Sequence, residues 1–323
     1  MAQAQEPQPN PTEPATAIEI VDVSPRDGLQ NEQTVFTTDE KLRLIDFAIS
    51  AGLRRIEVTS FVNPKRVPQM ADADELSKRL PKNNDIDFIG LVLNMKGAER
   101  AVAAGFDELG AVSVASDSFA QKNQGQTRLE SGKIAASIVA MAKAEGKRCS
   151  VTIGASFGCP FEGNVPHQNV IELAEIAAEA GADEISLADT IGVGDPWNVE
   201  ALFEKVRAVT KDIPLRAHFH NTRSTGIANA YAAIKAGVRT FDASFGGIGG
   251  CPFAPGATGN VPLEDLIYML HRGGLVTGVD LPKSIAAAQW LSKKLPGRVP
   301  GMLLKAGVFP TPSQGKDAAL CSA

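Results

Sequence analysis

Short β-branched runs alternate with longer helix-patterned segments eight times along this chain, and that alternation constrains its fold more than any other feature. The runs are Ile18–Val23, Arg55–Val58, Asp87–Leu91, Glu108–Val114, Arg148–Gly154, Glu184–Leu187, Leu215–His218 and Thr240–Ala243. Between them apolar residues recur at helical spacing, as at Leu42, Ile45 and Ile49, or at Val170, Leu173, Ala174 and Ala177. Gly52, Gly105, Gly146, Gly181 and Gly237 each close a helical segment ahead of the next run, where a left-handed residue ends a helix at little cost. Eight such units predict a TIM (β/α)8 barrel. An open doubly wound sheet would carry a G-x-G-x-x-G turn after the first strand, but the chain reads Ser24-Pro25-Arg26-Asp27-Gly28 there. The barrel is expected over residues 17–279. A short C-terminal helical extension over 280–323 is expected to sit on the barrel's rim, with no second domain.

Residues 1–16 are rich in Pro, Gln, Glu, Ala and Thr and hold no Lys or Arg. They read as a disordered tail, lacking the basic start and apolar core of a signal peptide and the arginines of a mitochondrial presequence. No run of apolar residues is long enough for a membrane span. With 32 basic against 37 acidic residues the net charge is −5, which weighs against nucleic acid or an acidic membrane as partner. Four irregularly spaced cysteines without a C-x-x-C pair suit a reducing compartment, and the final Cys321-Ser322-Ala323 is not a peroxisomal signal. A soluble cytoplasmic protein is the expectation.

In a barrel the C-terminal strand ends share one face, and that face carries the chemistry. Arg26 and Asp27 follow the first run, Glu57 lies near the end of the second and Asp189 follows the sixth. His218 and His220 close the seventh, and Asn260 stands in the long segment after the eighth. Residues two apart on a strand point the same way, so both imidazoles can address one ion. Two hydrogen-bonded histidines on a half-buried strand are the plainer alternative. Asp27 and Asn260 at the same mouth favour a metal, and two nitrogens, a carboxylate and an amide oxygen suit Mg²⁺ or Mn²⁺ better than closed tetrahedral Zn²⁺. Arg26 can stabilise charge on a carbonyl oxygen or simply pair with Glu57. Glu57 and Asp189 can orient Arg26 and the histidines from behind.

The stretch from Gly246 to Asn260 is dense in glycine and suits a segment that closes over a site. Cys251 lies within it, where a thiol that transfers a proton competes with an ordinary buried cysteine. Cys159 repeats the Gly-Cys-Pro-Phe tetrapeptide without the glycine-rich surroundings and reads as structural.

Four segments, Ser24 through Glu32, Phe61 through Met70, Asp189 through Gly194 and Gly250 through Asn260, together resemble the 3-hydroxy-3-methylglutaryl-CoA lyase family. These are metal-dependent TIM-barrel lyases related to Claisen-type synthases. The likeness runs from Ile18 to Val279, and the Gly-Cys-Pro-Phe-Ala-Pro-Gly-Ala-Thr-Gly-Asn segment is its most specific part. The resemblance implies a divalent metal, Mg²⁺ or Mn²⁺, held by Asp27, His218, His220 and Asn260. It implies that Arg26 polarises the thioester carbonyl and that Cys251 takes part in proton transfer. Glu57 and Asp189 match acidic positions important to the site, and Gln30 matches a polar neighbour of the ligands.

The expected reaction removes a proton from the substrate's tertiary hydroxyl and breaks its C2–C3 bond, giving acetoacetate and the enolate of acetyl-CoA. Arg26 meets the enolate oxygen. Cys251 serves as proton donor, with His218 or a metal-bound water as the other partner. Lys65, Arg66 and Lys122 are candidates for the CoA phosphates, against the commoner meaning of solvated surface cations. The family further implies a homodimer and a place in leucine catabolism.

One departure stands beside the ligands. The family's His-x-His-Asp-Thr-Tyr-Gly becomes His218-Phe219-His220-Asn221-Thr222-Arg223-Ser224. This exchange is expected to make the mouth more positive and to bring Arg223 toward the substrate, pointing to a 3-substituent other than methyl. Citramalyl-CoA is an alternative substrate. A Claisen-type synthase joining acetyl-CoA to a 2-oxo acid is an alternative reaction, disfavoured by the short C-terminal extension. A silent CoA-binding barrel predicts missing ligands, and all four are present.

Overall fold

In the computed structural model the eight runs close on one another as parallel strands around a barrel. The strands are β1 (Glu19–Asp22), β2 (Arg55–Ser60), β3 (Asp87–Val92), β4 (Glu108–Val114), β5 (Arg148–Gly154), β6 (Glu184–Asp189), β7 (Leu215–Phe219) and β8 (Thr240–Ala243). They lie in sequence order, and β8 closes on β1 with Glu19 beside Thr240 and Asp22 beside Ala243. The structure describes residues 17–82, 85–250 and 259–309. The expected tail, Cys251 and Cys321 lie outside them.

Between and after the strands run α1 (Thr38–Ser50), α2 (Ala73–Arg79), α3 (Met95–Ala103), α4 (Asp117–Gln124), α5 (Arg128–Ala144), α6 (His167–Ala180), α7 (Pro196–Thr210), α8 (Gly226–Lys235) and α9 (Leu263–Arg272). Two more, α10 (Leu281–Lys294) and α11 (Leu303–Ala306), form the C-terminal extension. Local chemistry sets their ends. Thr37 and Glu40 form a reciprocal capping box at the start of α1, as Thr127 and Glu130 do for α5. The five expected helix-stopping glycines all have positive φ, from 64° to 97°. At Gly181 (φ 81°) the amide returns to the carbonyls of Ala177 and Ala178, which closes α6.

Four strands extend past their expected ends. Thr59 and Ser60 continue β2, Val92 continues β3, Ala188 and Asp189 continue β6, and Phe219 continues β7. Backbone pairing carries these strands beyond their apolar runs, through polar Thr59, Ser60 and Asp189 as well as apolar Val92, Ala188 and Phe219. Glu57 lies within β2 as expected, just before an irregularity that shifts register between Glu57 and Thr59. Bulges of this kind re-aim side chains next to active sites.

The apolar core fills the layer between barrel and helices. Inside the barrel a small apolar cluster of Val21, Val23 and Ile89 is accompanied by charge: Arg55, Glu57, Glu108, Glu184, Arg216 and Asp242 are all buried. Helix α10 joins the extension to the first unit, where Trp290 stacks near Phe36 (6.1 Å) and Phe47 (5.6 Å) with the Arg43 guanidinium over its ring. No helix among the described residues is long and apolar enough to cross a membrane.

Candidate active site

A single wide helical turn, Ser24–Gly28, follows β1 and turns Arg26 and Asp27 toward the barrel axis. Gly28 lets this turn sit against Ile248, since a Cβ there would lie 2.9 Å from the isoleucine side chain. Across the mouth, β7 carries Arg216 and His218 on one face, and His220 follows at the same spacing. His220 forms an isolated bridge with Asn260, which returns the glycine-rich segment to the barrel.

These side chains converge. Asp27 Oδ2 lies 3.5 Å from His220 Nε2 and 3.8 Å from His218 Nε2, and Asn260 Nδ2 donates to the same oxygen at 2.8 Å. One ligand atom from each of Asp27, His218 and His220 falls within 4.8 Å of the others. Asn260 Oδ1 is buried without a hydrogen-bond partner. A buried amide oxygen left unpaired is costly unless something else satisfies it. His218 Nδ1 lies 3.0 Å from Asp242 Oδ2. An ionised carboxylate only accepts, so Nδ1 carries a proton and Nε2 is the nitrogen turned toward Asp27. The donor set fits a divalent cation.

Arg26 lies behind the carboxylate. Its Nε donates to Glu57 and its Nη1 donates to Asp27 at 2.7 Å, so the ion pair with Glu57 and a place at the site occur together. Burial alone would raise the Asp27 carboxyl, but Arg26 and the two imidazoles outweigh it and hold it well below the usual carboxylate range. For Glu57 burial prevails over Arg26, and the carboxyl is raised. His218 is raised: burial opposes its charge, and Asp242 and Asp27 more than compensate.

The site opens into a cavity of about 570 Å³. Arg26, Asp27, Gln30, Glu57, Arg66, Lys122, His218 and His220 line it, so eight of the candidate residues share one space. Gln30 also accepts from Ser60 Oγ at 3.2 Å. Lys122 places its Nζ 4.3 Å from the centre of the Phe161 ring. Asp189 lies beneath, accepting from the amides of Val193 and Gly194 at 2.9 Å each, and so shapes the turn after β6. Lys65 and Arg223 stand outside the lining. Gly250 lines the cavity immediately before Cys251, which itself lies outside the described residues. Cys159 is buried, its sulfur accepting from the Phe161 amide at 3.4 Å.

The departure after the second histidine is directed at backbone. Asn221 Oδ1 accepts from the Gly226 amide at 3.0 Å, and Arg223 Nη1 donates to the carbonyls of Ile191 (3.1 Å) and Gly192 (2.8 Å). The exchange expected to make the mouth more positive therefore braces two loops, and neither residue belongs to the cavity wall. Asp242 is the functional neighbour that sequence reasoning missed. The available signal was an acid within a four-residue strand whose other members are Thr240, Phe241 and Ala243.

Comparison with known proteins agrees with this geometry. The family model described as HMGL-like matches residues 17–291. The chain is 44% identical over 305 residues to the (R)-citramalyl-CoA lyase of Chloroflexus aurantiacus, covering 91% of this chain and 96% of that protein. It is 42% identical to the mitochondrial hydroxymethylglutaryl-CoA lyase of Mus musculus over 86% of each chain. Among solved structures, an HMG-CoA lyase from Acinetobacter baumannii in complex with coenzyme A and 3-methylmalate superposes with a TM-score of 0.86 at 39% identity, covering 92% of this chain and 98% of that one.

Proposed function

Because this chain belongs to the HMGL-like family and is a carbon–carbon lyase for an acyl-CoA, we propose that it cleaves (R)-citramalyl-CoA to acetyl-CoA and pyruvate with the help of Mg²⁺ or Mn²⁺. The convergence of Asp27, His218 and His220 at the barrel mouth carries the metal-dependent part of this reading. The high identity to a citramalyl-CoA lyase over nearly the whole chain supports the substrate. So does 3-methylmalate beside coenzyme A in a related enzyme, because that compound, like the citramalyl group, is a 2-hydroxy acid.

Asp27, His218, His220 and Asn260 would hold the cation, which would act as a Lewis acid and make the substrate's hydroxyl more acidic. The remaining roles belong to side chains. Arg26 directs its guanidinium at the thioester carbonyl, where negative charge builds as the C2–C3 bond breaks. Glu57 keeps that guanidinium oriented. The hydroxyl loses its proton to a base at the mouth other than His218, whose Nε2 is committed to the cation and whose Nδ1 donates to Asp242. The C2–C3 electron pair passes to the thioester enolate, C3 becomes the ketone of the 2-oxo acid, and Cys251 returns a proton to C2. Gln30 contacts the substrate's polar end. Arg66 and Lys122, with Lys65 nearby, receive the CoA phosphates. Asp189 and Arg223 secure the turn around Ile191 and Gly192.

3-Hydroxy-3-methylglutaryl-CoA is the second reading, supported by the Mus musculus enzyme among others. It would give acetoacetate and place the enzyme in leucine catabolism. The two substrates differ by one methylene between carbinol carbon and carboxylate, a difference worth about 10- to 200-fold in discrimination. Acetyl-CoA release from both esters, with and without chelator, tests the proposal. It predicts kcat/KM at least about tenfold higher for citramalyl-CoA. Equal or faster cleavage of the glutaryl ester would transfer the assignment to it, and activity surviving complete chelation would remove the metal.

A further inference from the structure

We propose that Asp242 is a positioning residue for the metal ligand His218, and that the buried Arg216 beneath it fixes Asp242 in turn. The inference rests on the metal-dependent reading of the site and assigns a role to two residues outside the ligand set.

The placement follows from the barrel itself. Strands β7 and β8 pair in parallel with His218 beside Asp242, so their side chains project from adjacent positions on one face. His218 Nδ1 lies 3.0 Å from Asp242 Oδ2, and the two residues are only 7% and 6% exposed. A buried imidazole without this partner has two tautomers and some freedom about its ring torsion. One carboxylate at Nδ1 selects the tautomer whose Nε2 lone pair is free, and it fixes the direction of that lone pair. Asp27 lies on the Nε2 side.

Asp242 is itself supported from below. Its Oδ1 is 3.4 Å from Arg216 Nε, an ion-pair distance without hydrogen-bond alignment. Arg216 Nη1 is 3.2 Å from Glu184, Glu184 pairs with Arg55 at 2.9 Å, and Arg55 pairs with Glu108 at 2.8 Å. Alternating charges thus climb from the strand starts to the metal ligand. Asp242 has its two oxygens on two different tasks, one toward the imidazole and one toward the guanidinium. Rotating away would separate it from both.

Asp242→Asn keeps the shape and changes the chemistry. An amide can present its NH₂ to Nδ1, which favours the opposite tautomer and puts a proton on the nitrogen meant for the metal, as in the Asp-to-Asn change of a serine protease triad. The test is Mn²⁺ binding to the full chain, measured by electron paramagnetic resonance in wild type, Asp242→Asn, His218→Ala and the double variant. The expected result is 10- to 100-fold weaker binding in Asp242→Asn. A second expectation is that Asp242→Asn costs nothing further once His218 is Ala, because its effect runs through that ring. Unchanged affinity in Asp242→Asn, or an equal loss in the His218→Ala background, overturns the proposal. A wild type that binds no Mn²⁺ overturns the metal reading instead. Should Asp242→Asn not fold, ¹⁵N NMR of the metal-free wild type at a pH where His218 is neutral decides the question. A proton on Nδ1 supports the proposal and one on Nε2 refutes it.

Discussion

At the strand starts, inside the barrel, Arg55 donates to Glu19, Glu108 and Glu184, Ser150 donates to Glu108, and Arg216 lies within ion-pair distance of Glu184. At the strand ends Asp27 faces two imidazoles at 3.5 and 3.8 Å, while Asn260 Oδ1 and His220 Nδ1 have no partner. Both layers are buried polar groups in one barrel, yet the first sets carboxylates against guanidinium groups and the second gathers one ligand atom from each of Asp27, His218 and His220 within 4.8 Å of the others. Burial is therefore not what separates structure from function here. The difference lies in which groups meet: acids opposite fixed cations below, and above them an acid, two imidazoles and an amide oxygen buried without a partner, a donor set that a divalent cation would satisfy.

The largest effect that would sharpen this contrast concerns the lower layer. Arg55→Met leaves Glu108 and Glu184 buried without their main counter-charge and should destabilise the fold by about 3–5 kcal/mol, read as a lower denaturation midpoint. A loss below 1 kcal/mol would mean that the layer is wet or loosely paired. In the upper layer Arg26→Met should lower kcat by about 10²–10³-fold, provided its guanidinium meets developing charge. An effect on KM alone would reduce Arg26 to a binding group.

Glu264 gives a test from neither layer, at the root of the glycine-rich segment. It accepts from the Gly246 amide at 2.9 Å while its Oε1 is buried and unpaired, and burial pushes its carboxyl up to about 8. The folded chain keeps a proton that the unfolded chain loses near the ordinary value of 4.5, so stability should fall as pH rises from about 4.5 to 8. The slope is at most ~1.4 kcal/mol per pH unit for one proton. Glu264→Gln should melt with wild type at pH 5 and above it at pH 9. Parallel melting curves across that range would refute the assignment. The smallest effect is expected at the cavity's rim, where Lys122→Ala should raise KM for the acyl-CoA about fivefold with kcat unchanged, the scale of one partly exposed ion pair.

How much of this was legible beforehand follows the same division. The strands and helix ends could be read because β-branched runs and glycines act locally, and Gly181 closes α6 through its own neighbours. The mouth residues could be grouped because barrel topology assigns every strand end to one face. The lower layer could not. Arg55, Glu108 and Glu184 look like ordinary charges at strand starts, and only closure brings residues 53 and 129 positions apart into contact. Asp242 was hidden for the same reason, since its partner is set by register between two strands. Asn221 and Arg223 mark a second limit. Residue type suggested altered charge at the mouth, but loop geometry directs both side chains to backbone groups, and periodicity carries no information about that.

The central claim is that Asp27, His218, His220 and Asn260 form one cation site whose integrity the fold does not require. Titrating Mn²⁺ into wild type, Asp27→Ala and His220→Ala, with metal-free melting temperatures recorded for each, tests it most directly. The account predicts one bound ion per wild-type chain, loss of that ion in both variants, and melting temperatures close to wild type. Undiminished one-to-one binding in either variant would contradict it.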